Sequence, residues 1–219
     1  MIVTREKPLD EILGYIWPFT KILIAGCDGC VHPPRGLREA KTYALMIEMA
    51  GKAKGKQFEC IPVTVAKQCD NNIVYTSLQS YINEVDAVLS LACGVGVQVI
   101  VEVFPDIPVF PAQNTVFIGS QPKEGAIFYE KCRACGECLL GYTGGICPVT
   151  RCAKSLLNGP CGGQVDGKCE VGGWVRDCAW YLIYQRLKKL GRLDLFEEFR
   201  PPRDQRIASS PREVGGLVR

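Results

Sequence analysis

The stretch KILIAGCDGC, Lys21 to Cys30, decides how the first half of the chain is read. Residues 21–27 form a compact apolar run without alternation, the pattern of a strand buried on both faces of a parallel sheet. The run ends on a thiol, Cys27, and a second, Cys30, follows three residues later. The same sentence structure recurs downstream. FECIPVTVAKQC (58–69) reads as a second strand, with Pro62 placing its start at an edge or a kink, and Cys69 lies just past its end. DAVLSLAC (86–93) reads as a third buried strand closing on Cys93, and IPVFPAQNTVFIG (107–119) holds a fourth.

Helical patterns fall between these runs. PLDEILGYI (8–16) has Pro8 suited to a first helical turn and Leu9, Ile12, Leu13 and Ile16 on one face. LREAKTYALMIEMAGK (37–52) puts Leu37, Ala40, Ala44 and Ile47 on one side. A short helix is expected near Leu78–Asn83, and another over 96–104. Strand and helix in alternation imply an α/β fold, a Rossmann-like parallel sheet with right-handed crossovers. Residues 1–120 are therefore expected to form an α/β domain with a cysteine site at its strand ends. Residues 120–130 read as a linker or arm. A ferredoxin-like cysteine-rich domain is expected over 121–199, ending in an amphipathic helix over 178–199 broken at Gly191. Residues 200–219, rich in Pro, Arg and Ser, read as an extended tail, disordered alone.

The 219 residues are 47% hydrophobic and 22% charged, the balance of a soluble globular protein. No apolar run nears the roughly 20 residues of a membrane span. The start MIVTREKPLDEIL lacks the order of a signal peptide, so a cytoplasmic protein is expected. A net charge of +3 and the lack of aromatic-interleaved basic runs argue against nucleic acid. The single histidine, His32, excludes a Cys₂His₂ site, leaves little room for a Ser-His-Asp triad, and reads as a solvated loop residue. The first strand-to-helix loop is not G-x-G-x-x-G, which argues against a dinucleotide. Trp17, Trp174 and Trp180 read as core or interface. Asp28, Glu137, Asp166 and Glu170 are scattered and read as solvated, so no acid–base pair stands out.

Chemistry concentrates in the 13 cysteines. In a reducing compartment such a number means metal ligands or redox chemistry rather than disulfides. Cys132, Cys135, Cys138 and Cys147 are spaced C-x2-C-x2-C-x8-C-P, and Cys152, Cys161, Cys169 and Cys178 follow. A C-x2-C-x2-C loop can wrap a cuboidal cluster and present three thiolates. In bacterial ferredoxins the fourth, proline-followed cysteine ligates the other cluster. Eight thiolates suit two [4Fe-4S] clusters, and equally two Cys₄ zinc sites. The ferredoxin analogy groups Cys132, Cys135, Cys138 and Cys178, and separately Cys147, Cys152, Cys161 and Cys169. Glycines in NGPCGGQVDGKCEVGG let backbone N–H groups reach sulfur. Because the carboxyl ends of parallel strands line one edge, Cys27, Cys30, Cys69 and Cys93 converge there and suggest a third metal site. Cys60, at the opposite end of its strand, reads as an ordinary buried thiol.

CRACGECLLGYTGGICPVTRCAKSLLNGPCGGQVDGKCEV, with RDCAWYLIYQRLKKLGRLDLFEEF after it, resembles the C-terminal domain associated with bacterial methylenetetrahydrofolate reductases. QCD, LSLACGVGVQ and FPAQNTVF resemble the first half of the small, MetV-type iron–sulfur subunit of that family. The resemblance spans about residues 20–200. It implies an electron-transfer subunit of the reductive one-carbon (Wood–Ljungdahl) pathway. Such a subunit serves a flavin-carrying catalytic partner, with FMN or FAD in that partner, which reduces methylenetetrahydrofolate to methyltetrahydrofolate. It further implies an electron donor such as ferredoxin or another redox subunit, and a chain that is itself non-catalytic. A structural zinc scaffold in the same complex is the alternative. The ligands carried over are the twelve cysteines other than Cys60. The helix at 178–199 offers either a docking face for the partner or part of its own core, and the tail is expected to order against the partner.

Overall fold

A computed structural model of the chain describes residues 1–121 and 127–214 and divides into two compact units, Met1–Phe117 and Ile118–Arg219. In the first unit the elements are β1 (Ile2–Glu6), α1 (Leu9–Ile16), β2 (Lys21–Cys27), β3 (Val31–His32), α2 (Leu37–Ala53), β4 (Glu59–Val65), α3 (Asn71–Ile82), β5 (Ala87–Ser90), α4 (Gly94–Val103), β6 (Val109–Pro111) and β7 (Gln113–Ser120), the last crossing the boundary.

The central sheet has the order β4-β2-β5-β6 and is parallel throughout. Register is set by the apolar run: Ile24 lies opposite Pro62 on one side and Leu89 on the other. Alternate residues of β2 feed two separate cores. Ile22 and Ile24 join Ala87, Leu89 and the inner faces of α1 and α2, including Ile12, Ile16, Ala44 and Ile47. Leu23 and Ala25 join Val65, Val88 and the inner faces of α3 and α4, including Val74, Leu78 and Ile100. A strand buried on both faces is what an unalternated apolar run encodes. Pro62 sits on the edge strand β4, where a missing N–H is tolerated. The chain moves from β2 outward to β4, then returns to the other side of β2 as β5. The order reverses between β2 and β5, so a crevice opens outside their carboxyl ends.

Several elements differ from the sequence reading. α2 buries Ala40, Tyr43, Ala44 and Ile47 but leaves Leu37 exposed in its first turn. α3 starts at Asn71, a full two turns earlier than expected, because Asp70 accepts from the N–H groups of Asn72 (3.1 Å) and Ile73 (3.2 Å) and caps it. The expected fourth strand is two. β6 completes the parallel sheet, and after Ala112 the chain enters β7 in a second sheet. There β1 pairs in parallel with β3, Ile2 opposite Val31 and Val3 opposite His32. His32 is thus half-buried in a strand rather than a solvated loop residue, and its carbonyl accepts from Thr4 Oγ1 at 3.3 Å.

In the second unit the end of β7 pairs antiparallel with β8 (Tyr129–Cys132). Part of the expected linker over 120–130 lies outside the described residues, and its last two residues belong to β8. α5 (Pro148–Arg151) packs against β8. α6 (Ala179–Lys189) and α7 (Asp194–Glu197) follow, separated by Gly191 at φ +67°, where the helix ends. The stripe of α6, Trp180, Ile183 and Leu187, is buried against Ile146, Leu156, Leu195 and Phe196 of the same unit, so it is core and not a docking face. Trp17 and Trp174 are half-exposed. In place of an extended tail, residues 200–214 return along this unit. Arg200 is buried, donates to the carbonyl of Leu195 at 2.8 Å, and lies over the rings of Tyr142 and Trp180. A 3-10 turn follows at Gln205–Ala208. Among the described residues no helix is long and apolar enough to cross a membrane.

Candidate metal centres

Four of the five thiols of the first unit stand at or just past the carboxyl ends of its strands, Cys60 being the exception near the start of β4. Cys27 is the last residue of β2. Cys30 lies in the loop to β3, Cys69 between β4 and α3, and Cys93 between β5 and α4 at the N-cap of that helix. Cys27 and Cys93 are buried and share a small apolar cluster with Val31 and Ala92. Burial pushes the Cys27 thiol up. The N–H groups of Gln68 and Gly29 oppose this by hydrogen bonding its sulfur, and the nearby Cys93 and Cys30 add to the rise. Cys30 and Cys93 therefore both lie near Cys27. Cys69 and Cys30 are exposed, and Cys69 follows directly on Gln68.

Gln68 is the residue that the sequence reading missed here. It is 1% exposed. Its amide nitrogen donates to the carbonyls of Ala25 (2.9 Å) and Gly26 (2.7 Å), and its oxygen accepts from Ser90 Oγ at 2.7 Å. One side chain thus ties the ends of β2 and β5 and fixes the segment carrying Cys69. Gly96 leaves room for it, since a Cβ there would meet the Cβ of Gln68 at 2.8 Å. A polar residue between a strand end and a thiol was the available signal.

In the second unit, Cys152, Cys161, Cys169 and Cys178 line one small cavity, together with Glu170 and Trp180. Cys178 caps the N-terminus of α6 and Cys152 ends α5. The ferredoxin analogy placed Cys178 with Cys132, Cys135 and Cys138, whereas in the structure it lines this cavity. Cys152, Cys169 and Cys178 belong to the same apolar cluster as Trp180, so packing of α6 carries Cys178 to this cavity. Glu170, expected to be solvated, is half-buried at the cavity wall, accepts from the Cys161 thiol at 3.4 Å and pairs with Lys154. The Lys154 bond, followed by that of Cys161, holds the Glu170 carboxyl below its ordinary range. Gly163 lies directly against it, and a Cβ there would make the Glu170 carboxylate swing aside.

The remaining four thiols are those of the contiguous motif. Cys132 ends β8, Cys147 is the N-cap of α5, and α5 is held to β8 by packing and by Thr150 Oγ1 donating to the Lys131 carbonyl at 3.4 Å. Cys135 and Cys138 lie in the intervening loop, which turns through Ala134 (φ +52°) and Gly136 (φ +85°). The Ala134 N–H reaches Cys132 Sγ at 3.3 Å. Glu137 forms an ion pair with Arg203 at 3.1 Å instead of standing free in solvent. Burial raises the Cys135 thiol, but the hydrogen bond from Arg203 and that from the Glu137 backbone outweigh it and leave the thiol below its ordinary value.

Among the described residues no three His, Cys, Asp or Glu side chains already close on a point suited to one metal ion. In donor chemistry the residues fit a thiophilic group. The sets are all sulfur, which selects iron–sulfur clusters or zinc over magnesium or calcium. Backbone N–H groups already point at Cys27 and Cys132 sulfur, as they do around ligated thiolates. Fold and thiols together define an α/β unit joined to a cysteine-rich unit.

Comparison with known proteins places the second part of the chain more narrowly. Residues 110–206 match a family model described as the methylene-tetrahydrofolate reductase C terminal, so this segment is related to that reductase family. No curated protein and no solved structure matches the chain.

Proposed function

We propose that the protein is an iron–sulfur, electron-carrying component that serves a methylenetetrahydrofolate reductase. The observation that carries this is the cavity walled by Cys152, Cys161, Cys169 and Cys178, within a segment related to that reductase. Cys132, Cys135, Cys138 and Cys147 form the second set of four, and Cys27, Cys30, Cys69 and Cys93 a third. A bound [4Fe-4S] cluster supplies one-electron chemistry, with a potential set by net charge, hydrogen bonds to sulfur and exposure. The chain's own residues set those terms. Gln68 and Gly29 donate N–H groups to Cys27, Ala134 donates to Cys132, and Lys154 with Glu170 brings a paired charge to the wall of the four-thiol cavity.

The chain's chemistry lies in its thiols, so reduction of the folate belongs to a flavin-carrying partner, with FMN or FAD there, and ferredoxin or another redox subunit supplies electrons. The test is purification without oxygen, with iron, acid-labile sulfide and zinc assayed beside the visible spectrum. About four iron and four sulfide for each set of four thiols, with a brown chromophore bleached by dithionite, is the expected result. A colourless protein holding only zinc overturns it and leaves a structural scaffold.

A further inference from the structure

The segment after α7 reaches back to the cysteine loop at three separate points. Arg203 donates from Nη2 to the carbonyls of Cys135 (3.1 Å) and Glu137 (3.2 Å), and its Nε pairs with the Glu137 carboxylate at 3.1 Å. Ile207 packs on Gly136, where its carbonyl lies 3.2 Å from the position of an added Cβ. Arg212 Nη1 donates to the carbonyl of Ala134. Three successive residues of the loop and the next one, 134–137, are thereby covered. We propose that residues 200–212 are a strap that closes the Cys132–Cys147 thiol set, with Arg203 as the positioning residue that also sets the charge beside it. The inference rests on the cluster reading above and adds a determinant outside the cysteines.

The physical case is in how the strap is held and what the loop lacks. Arg200 anchors its start: the backbone N–H donates to Asn158 Oδ1 and the carbonyl accepts from Asn158 Nδ2, both at 2.8 Å. Three residues later Arg203 is delivered to the loop, with its side chain only 7% exposed. A loop turning through positive φ at Ala134 and Gly136 leaves carbonyls without helix or strand partners. A planar guanidinium satisfies two of them and a carboxylate at once, which a lysine cannot do. The strap thus leaves a cation beside Cys135 that its paired carboxylate, half-exposed, offsets only in part. Such a cation favours the more negatively charged, reduced state of a thiolate-bound cluster.

The experiment compares the full chain, purified without oxygen, with R203Q, R203K, E137Q and R206A. Arg206 pairs with Asp204 among the described residues and serves as the control. The readouts are iron and sulfide content, an EPR-monitored redox titration, iron release to a chelator, and hydrogen exchange of amides 134–138. R203Q should lower one couple so that its reduced fraction at a fixed solution potential falls about tenfold, or 59 mV for one electron. E137Q should move the same couple the opposite way. R203K should keep the potential near wild type yet release iron faster, because the charge stays and the fork is lost. Opposite shifts are not produced by simple loosening. R203Q with the wild-type potential and iron release rate overturns the proposal. If the wild type contains no iron or sulfide, the cluster reading falls, and exchange decides the strap alone: acceleration of about tenfold in R203Q supports it, and unchanged exchange overturns it.

Discussion

The two units carry thiols on opposite physical terms. In the first, an apolar sheet packed on both faces exists before any thiol is considered, and the cysteines are placed at the ends of strands already fixed by Ile22, Leu23, Ile24 and their partners. In the second, apolar packing is confined to one side of α6 and its neighbours. Much of 132–178 is glycine-rich loop with left-handed turns, held by isolated bridges such as Val165 to Lys168. A core positions the thiols in the first unit. Ligation is expected to complete the structure in the second, because so little buried apolar area is available to offset the entropy of ordering it. The same donor atom is thus a passenger on one scaffold and a structural element of the other.

The largest test of this contrast is removal of metal. Chelation of the anaerobic protein should abolish amide protection over 132–178 while strands β2 and β5 keep theirs, read residue by residue by hydrogen exchange. Equal survival of both units would break the comparison. Next in size are core truncations. Ile47→Ala in α2 should cost about 2–5 kcal/mol of first-unit stability, measured by urea unfolding, because it leaves a cavity in a fully buried site. Trp180→Ala should cost about 3–5 kcal/mol and also displace Cys178, so iron content should fall by about one cluster. If Trp180→Ala loses stability and keeps all its iron, packing of α6 does not set the four-thiol cavity.

A smaller effect is expected at Gln68. Gln68→Leu removes the amide that joins the Ala25 and Gly26 carbonyls to Ser90. Leaving those groups buried and unpaired should cost about 1–3 kcal/mol. It should also loosen the Cys27–Cys69–Cys93 edge, seen as selective loss of metal from the first unit. Loss of stability without loss of metal would make Gln68 a sheet fastening only.

What was legible in the sequence follows the same division. β2 could be read because an unalternated apolar run has one common explanation, and the strand-end positions of Cys27 and Cys93 came with it. β1 and β3 could not: β3 has two residues, and β1 pairs with a segment that no local pattern marks. The start of α3 was hidden by Asn and β-branched residues, and only the Asp70 cap announces it. In the second unit the number and spacing of thiols were legible, but their grouping was not, since docking of Trp180 brings Cys178 back to Cys152, Cys161 and Cys169. Arg203 was invisible for a related reason. In a polar, proline-containing stretch an arginine looks solvated, and its burial comes from the return of the chain to Glu137 and Cys135.

Cys60 sharpens the contrast from the other side, as the thiol outside the three proposed ligand sets. It lies in β4, partly buried against the first core, and burial, with a smaller contribution from Glu48, pushes its thiol up to about 12. The unfolded chain would lose that proton near the ordinary value of 9.0. Between those values the unfolded state binds fewer protons than the folded one, so this group's stabilisation is full below pH 9, declines as pH rises, and is gone above about 12. First-unit stability should therefore fall between pH 8 and pH 10 in urea unfolding, and Cys60→Val should flatten that fall while leaving metal content unchanged. At pH 8 the thiol should also alkylate more slowly than Cys30 or Cys69 in metal-free protein, since it is shielded and protonated. A Cys60→Val variant that loses metal would place this thiol among the ligands and remove the distinction between a cysteine held by the core and one held for its sulfur.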